Sequence, residues 1–411
     1  MTTNIRSVLT LLAFLCLPVA GPQAQAVVPP PDGGYPGFTT AEGQKALFSL
    51  TTGSANTAVG WFSLFSDTEG SFNTATGAGT LLFNTAGSNT AFGAAALLFN
   101  TTGEDNTAVG TAALLNNANG IVNTAVGSGA LRDNTDGNFN TALGQQALFA
   151  NISGQENTAI GFVALANHPT GNFNTAVGTS ALLNTTAGQN TAVGAHALQT
   201  NDTGNSNTAV GNGALVSSTG SGNIALGQNA GGSVTTASNV TCIGTSGANV
   251  DNTTWISHVF GVTTQSGMTA PVIVSNTGQL GTVSSSRRFK YNIRPMEKTS
   301  EAILGLKPVT FHYKSDETNT PQFGLIAEEV AAVIPDLVMP DENGNIYSVR
   351  YDQVNAMLLN EFLKEHRKVE KLEATVADLA ERVNEQAAQL QRVTAQMEIS
   401  GPVMRFAAEN P

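Results

Sequence analysis

The polar and apolar positions of this chain recur with a period of seventeen residues over about half its length. Asn-Thr-Ala-x-Gly, or a close variant, begins at Asn56, Asn73, Asn89, Asn106, Asn123, Asn140, Asn157, Asn174, Asn190, Asn207 and Asn223, and three of the ten steps are sixteen residues long. Thr39-Thr40-Ala41-Glu42-Gly43 is a degenerate first copy, and Ala-Leu follows most of the glycines, as at Ala130-Leu131 and Ala147-Leu148. Seventeen residues are too few for a helical-pair repeat and suit one coil of a β-solenoid, read here as two short strands and two turns. Alternation along a strand puts Thr57 and Val59 on one face and Asn56 and Ala58 on the other. Small alanines let layers approach, Gly60 and its equivalents supply turns, stacked asparagines form a ladder along the axis, and Ala-Leu fills the interior. One coil cannot bury its apolar face; stacking does. Twelve coils at a strand spacing of ~4.8 Å predict a shaft of roughly 55 Å.

The repeat fades after Gly227, and Asn239 to Gly244 reads as one last irregular coil. Beyond it Trp255-Ile256, Val259-Phe260-Gly261-Val262, Pro271-Val272-Ile273-Val274 and Gln279 to Val283 read as short strands of a neck, with a turn at Asn276-Thr277-Gly278. From Leu358 the period changes to a heptad. Phe362, Val369, Val376, Val383, Leu390 and Met397 take the a positions; Leu358, Glu365, Leu372, Leu379, Gln386 and Val393 take the d positions. Ten of these twelve are apolar, which predicts a coiled coil, although Val at a with Leu at d does not select trimer over dimer.

Composition sharpens the boundaries. Charged residues are 12% of the chain, glycines number 43 and the net charge is −12. Between Val27 and Val283 stand two basic residues, Lys45 and Arg132, against eleven acidic ones, whereas the last 128 residues hold fifteen basic and nineteen acidic, so a domain boundary is expected near Ser284. With no basic stripe, no nucleic-acid partner is expected. Arg6, the apolar run from Val8 to Ala20 and Ala24-Gln25-Ala26 read as a signal peptide cleaved after Ala26, which implies a secreted or cell-surface location and no membrane span after removal. Cys16 leaves with it, and Cys242 alone excludes a disulfide within the mature chain. No carboxylate pair, metal cluster or phosphate loop stands out, and no cofactor is expected. His168 and His196 sit singly at variable repeat positions and are expected to face solvent. Trp61, Phe62, Gln145 and Phe162, which follow conserved glycines, line one edge where a cell-surface or glycan target would be recognised. A threonine column (Thr57, Thr74, Thr90) reads as an ordinary surface or packing ladder.

The chemically richest stretch is Ser284-Ser285-Ser286-Arg287-Arg288-Phe289-Lys290-Tyr291-Asn292-Ile293. It resembles the opening of the endosialidase-type intramolecular chaperone family, the C-terminal domain of phage tailspikes and fibres. The resemblance continues through Leu304-Gly305-Leu306-Lys307-Pro308-Val309 and Phe311-His312-Tyr313, matched to a strand. Gln322 to Val330 and Tyr351-Asp352 to Glu361, matched to the last helix, complete it. It implies a homotrimer in which the domain helps an upstream fibre fold and then cuts itself free. Ser285 would be the nucleophile, Lys290 the base and Ser284–Ser285 the scissile bond. A serine hydroxyl needs a base, and a lysine serves where burial removes its proton. The five-residue offset requires a turn between the two side chains or contributions from different subunits. Ser286 stands where many members carry Asp. The repeats, in turn, resemble the head repeats of trimeric autotransporter adhesins.

The expected fold is therefore mainly β: a trimeric β-solenoid shaft, a small α+β chaperone domain and a C-terminal coiled-coil helix. The boundaries are a signal at 1–26, a linker at 27–38, the solenoid at 39–232, a β neck at 233–283, the chaperone/peptidase domain at 284–357, the coiled coil at 358–398 and a tail at 399–411. Two functions stay open. One is a fibre whose chaperone acts once as a Ser-Lys peptidase on its own chain. The other is a non-enzymatic structural or adhesive fibre that keeps the domain as a trimer clamp.

Overall fold

A computed structural model describes residues 37–399 and Gly401, apart from Ser266, Asn276 and Glu342. The signal-peptide reading at 1–26, most of the linker and most of the tail lie outside the described residues. The chain forms two compact units that divide between Thr263 and Thr264.

The first unit is a β-solenoid. Fourteen three-residue strands, from β1 (Thr40–Glu42) to β14 (Thr254–Ile256), form a single parallel sheet in sequence order. Register is exact from coil to coil: Thr107 pairs with Thr124, Ala108 with Ala125 and Val109 with Val126. The sixteen-residue coils keep it, as Thr74 pairs with Thr90. Their missing residue is absorbed in the turn before the repeat asparagine, which separates Asn84 from Asn89 by five positions where Asn100 and Asn106 are six apart. The stack also runs past Gly232, since Thr241–Ile243 and β14 pair with the coils before them. Trp255 and Ile256 thus belong to the sheet, and Val259 to Val262, read as a strand, is turn and irregular backbone.

Each coil contributes one strand where the period suggested two. The Ala-Leu segment bonds axially, with Leu114 N–H donating to Ala130 O at 2.9 Å and Asn116 N–H to Arg132 O at 2.9 Å. It cannot be extended because its leucine is left-handed, with φ of 48° at Leu114 and 51° at Leu148. Such a backbone costs on the order of 1–3 kcal/mol for a non-glycine residue. Complete burial of that leucine side chain returns about as much. The strand alanines and these leucines form one continuous core. Glycine is mandatory at the strand end: Gly144 has φ +138°, and a Cβ there would lie 2.4 Å from Gly161 O.

Two buried polar columns hold the coils together. In the first, each repeat asparagine grips the next coil by its backbone. Asn123 Oδ1 accepts from Asn140 N–H at 3.0 Å, while Asn123 Nδ2 donates to Gly137 O at 2.8 Å. The expected amide ladder is thus mainly a side-chain-to-backbone clamp. The second column had no counterpart in the motif analysis. Asn100, Asn117, Asn134 and Asn151 each donate Nδ2 to the Oδ1 of the column member one coil earlier, at 2.6–2.8 Å.

His168 occupies the next place in that second column and is fully buried, which corrects the expectation of a solvent-facing side chain; His196 is exposed as expected. The His168 ring lies 3.0 Å from Thr185 O through Nδ1 and 2.8 Å from Gly171 O through Nε2, with Asn174 Nδ2 3.2 Å from Nε2. It donates nothing to Asn151, whose Oδ1 is the one buried side-chain polar atom without a partner among the described residues. Burial pushes the imidazole below its ordinary range, against the opposing pull of the Gly171 and Thr185 carbonyls.

Two outcomes are expected in the shaft. Asn123→Ala orphans the buried Asn140 N–H and should lower shaft stability by about 1–3 kcal/mol, whereas Thr124→Ala on the outer face should cost under about 0.5 kcal/mol; urea midpoints compare them. His168→Asn restores the missing donor to Asn151 and should stabilise the shaft by about 1 kcal/mol at pH 7. Because the folded imidazole resists protonation, wild type should also lose stability as pH falls below the unfolded value of ~6.5. Thermal melts from pH 7.5 to 5 should show that loss in wild type and a smaller one in His168→Asn.

Candidate functional site

The second unit begins with a hairpin of β15 (Ile273–Val274) and β16 (Leu280–Gly281), paired antiparallel as the sequence pattern suggested. Ser275 Oγ accepts from Gln279 N–H at 3.0 Å across its turn. Ser284 and Ser285 follow outside any regular element, Ser286 is extended, and Arg287–Phe289 form a single 3-10 turn, closed by Phe289 N–H to Ser286 O at 3.1 Å and Lys290 N–H to Arg287 O at 3.0 Å. The turn needed between Ser285 and Lys290 is therefore present. It does not join their side chains: among the described residues, neither the Ser285 hydroxyl nor the Lys290 ammonium makes a hydrogen bond. Every residue from Gly281 to Pro295 is exposed. Ser284 Oγ accepts from Ser286 N–H at 3.4 Å, and the Arg288 guanidinium lies over its neighbour Phe289 at 4.6 Å. A single chain thus displays both groups on a short ordered turn without the apolar cover a neutral lysine needs.

Behind the turn lies a small core. Glu297–Gly305 form a 3-10 helix, so Leu304 and Gly305 end a helix, and the strand matched to that stretch starts only at Val309. Strand β17 (Val309–Phe311) pairs antiparallel with β18 (Gln322–Gly324), then come α1 (Ala327–Val333) and a second antiparallel pair, β19 (Val338–Pro340) with β20 (Ile346–Val349). Ile303, Val330, Leu337, Val349 and Met357 form its interior. Helix α2 runs unbroken over 49 residues, Tyr351–Ile399, so the last domain helix and the heptad helix are one element.

Two polar contacts tie the start of α2 to this core and explain motif residues. Tyr351 Oη accepts from Leu325 N–H at 3.0 Å, and a Cβ at Gly324 would fall 2.8 Å from that oxygen, so the phenol requires glycine there. Ser300, buried, donates to Glu361 and accepts from Asn360 Nδ2. Lys364 bonds the same carboxylate at 2.7 Å and reaches Glu301 at 3.2 Å. Lys364 first, and then the Ser300 hydroxyl, hold the Glu361 carboxyl below its ordinary range. Ser300 lies outside every sequence motif and Glu361 only closes the one matched to the last helix; their link spans 61 residues and has no periodic signal.

The remaining candidates separate. A cleft of about 190 Å³ lined by Leu306, Lys307, Leu325, Glu329 and Val333 includes neither Ser285 nor Lys290. On the solenoid, Trp61 and Phe62 are half-buried in an aromatic cluster with Phe65, beneath Lys45, whereas Gln145 and Phe162 are exposed. Among the described residues no helix is long and apolar enough to cross a membrane.

Comparison with known proteins agrees with this geometry over one segment. Residues 285–339 match the family model described as chaperone of endosialidase. The match starts at Ser285, covers the 3-10 turn and the core elements past α1 into β19, and supports a tail-fibre-like intramolecular chaperone domain on the C-terminal side of the solenoid. No curated protein and no solved structure matches the chain.

Glu361→Ala should release the 3-10 helix from α2. Amide exchange over Glu297–Gly305 is expected to rise by about tenfold, the equivalent of one charge-assisted hydrogen bond. Unchanged exchange would show that apolar packing alone holds the contact.

Proposed function

We propose that the chain is a secreted, fibre-like homotrimer whose C-terminal domain registers three chains and then severs itself at the Ser284–Ser285 bond. The observation that carries this reading is the coincidence of the family match, beginning at Ser285, with a compact domain that feeds a helix whose heptad seam is open. Along α2 the a and d residues are exposed, Val376 by 64% and Leu390 by 67%, and a helix of this length does not leave such a seam in water. Copies of the same helix cover it. The trimer, as against a dimer, comes from the family.

The exposed Ser285 and Lys290 fit a site completed by assembly. Neighbouring chains supply the cover that neutralises Lys290. The Ser285 hydroxyl attacks the Ser284 carbonyl carbon and passes its proton to the lysine amine. That proton then goes to the departing Ser285 nitrogen as the C–N bond breaks. Ser284 is left as an ester on Ser285 Oγ, and water hydrolyses the ester to a Ser284 carboxylate and the restored hydroxyl. Cutting after assembly removes the registering device, so the shaft is held by its unfolding barrier. Delaying the cut until the site is assembled ensures that only registered fibres are released.

Ser286, in place of the family's Asp, supports a second reading in which the dyad is silent and the domain stays as a permanent clamp. Intact mass of wild type beside Ser285→Ala and Lys290→Met separates the two. Self-cleavage predicts a wild-type fragment beginning at Ser285, none in Ser285→Ala, and release slowed about 10²-fold or more in Lys290→Met. Trimers in which all three proteins stay whole would establish the clamp and end the peptidase reading.

A further inference from the structure

Besides its main core, the solenoid has a second apolar cluster, on the Ala-Leu segments of its first coils. Leu82, Leu98 and Leu115 are buried in it, and Phe62, Phe65 and Phe99 pack against them. The rings form a ladder along the axis. Phe48 stacks on Phe65 with centroids 5.4 Å apart, Phe83 stacks on Phe99 at 5.5 Å, and Trp61 meets Phe62 edge-on at 4.4 Å. The ladder is open to water: Phe48 is 65% exposed, Phe83 is exposed and the other rings are half-buried. From the fifth coil on, the same segments turn mostly polar, with Asn116, Arg132-Asp133, Asn167 and Gln199-Thr200. Among the described residues of the shaft, ring-on-ring contacts occur in the first four coils alone, so the repeat itself does not require them. An apolar patch confined to one end of an otherwise polar face marks a contact.

We infer that residues 27–31 of the same chain, the run Val-Val-Pro-Pro-Pro, lie along this ladder as an extended strap. The occupant follows from position, length, chemistry and charge. The described chain enters the shaft at Gly37, whose carbonyl accepts from Ala55 N–H at 2.7 Å, so the run is tethered at the coil where the ladder starts. Residues 32–36 reach about 17 Å at full extension, more than the ~10 Å of a three-residue strand, and Gly33-Gly34 allows them to turn. Three consecutive prolines favour the polyproline II helix, which rises ~3.1 Å per residue, so five residues cover about 15 Å. From Phe48 to Phe99 the ladder crosses three coil steps of ~4.8 Å, or about 14 Å. Proline-rich helices dock on aromatic rows because their apolar rings are already ordered and little entropy is lost. Charge fixes the direction. Asp32 is the one charged residue of 27–36, and Lys45 is the one basic residue of the first five coils. The Lys45 ammonium lies over Phe48 at 5.6 Å and Phe62 at 5.2 Å. With Pro31 over the first coil, Asp32 meets that ammonium and the two valines reach the fourth coil at Phe99. The strap is independent of the proposed homotrimer and of self-cleavage.

Trp61 reports the cover in the full chain. Trp255→Phe leaves it as the sole tryptophan, and acrylamide quenching of its emission measures access to the ladder. P29S/P30S/P31S keeps the length of the segment, removes its polyproline preference and touches no core residue. The strap predicts that this triple change raises the quenching constant at least about twofold, as follows when a dominant bound population is lost. Asp32→Asn should raise it less, and 1 M salt should erase the difference between Asp32→Asn and the parent by screening the pair with Lys45. Equal quenching in the parent and the triple variant would overturn the strap. A low shared value would mean that something else, such as a second copy of the chain, covers the ladder, and a high shared value would mean that the rings stand bare.

Discussion

Everything in the shaft depends on one constraint: a coil of seventeen residues cannot satisfy its own backbone. Three-residue strands and tight left-handed turns leave most N–H and C=O groups pointing along the axis, and a buried unpaired amide costs about 1–3 kcal/mol. The next coil answers almost all of them. Asparagine is the residue able to reinforce this, because one planar group both accepts from an N–H and donates to a carbonyl, as Asn123 does with Asn140 and Gly137. Alanine beneath the strand and leucine in the left-handed corner then follow from the narrow interior. The scarcity of charge follows too, since so little of each coil is free to carry it.

The parts legible in the sequence were those with a period. Asn-Thr-Ala-x-Gly gave the parallel sheet, its register and its buried alanines, and the heptad gave the long helix. What escaped was set by geometry that a period does not encode. Two strands per coil seemed natural for Ala-Leu, yet the leucine at φ near 50° turns that segment into a corner. The second polar column was present in plain view as Asn100, Asn117, Asn134 and Asn151. It went unseen because its members fall in a variable stretch, and with it went the reason His168 is buried. The stack's extension to Ile256 was hidden because Cys242 and Trp255 replace the strand alanine.

The second unit was legible in another way, through ordered short motifs, and its internal ties were not. Gly324 makes sense only beside the Tyr351 phenol, and Ser300 only beside Glu361, pairs too far apart in the chain for spacing to betray. Ser285 and Lys290 mark the limit of single-chain reasoning. Their turn forms locally, through bonds within Ser286–Lys290, whereas the environment that would make them reactive has no source in their own chain's core. Under the proposed self-cleavage, the pair would be armed by association rather than by folding.

The forward grip of the first asparagine column has a consequence for length. Each repeat asparagine's Oδ1 accepts from the coil that follows it, as Asn123 Oδ1 does from Asn140 N–H, so the final grip must end on a residue that asks nothing further. Val240 is that residue: its N–H donates to Asn223 Oδ1 at 2.8 Å, and its own side chain carries no amide. Between the first coil and that terminus, a whole coil added or removed keeps the bonding pattern of this first column. The shaft is therefore a ruler whose graduations can be gained or lost by duplication and deletion, with a fixed stop at one end, and its reach can evolve without any change to its chemistry.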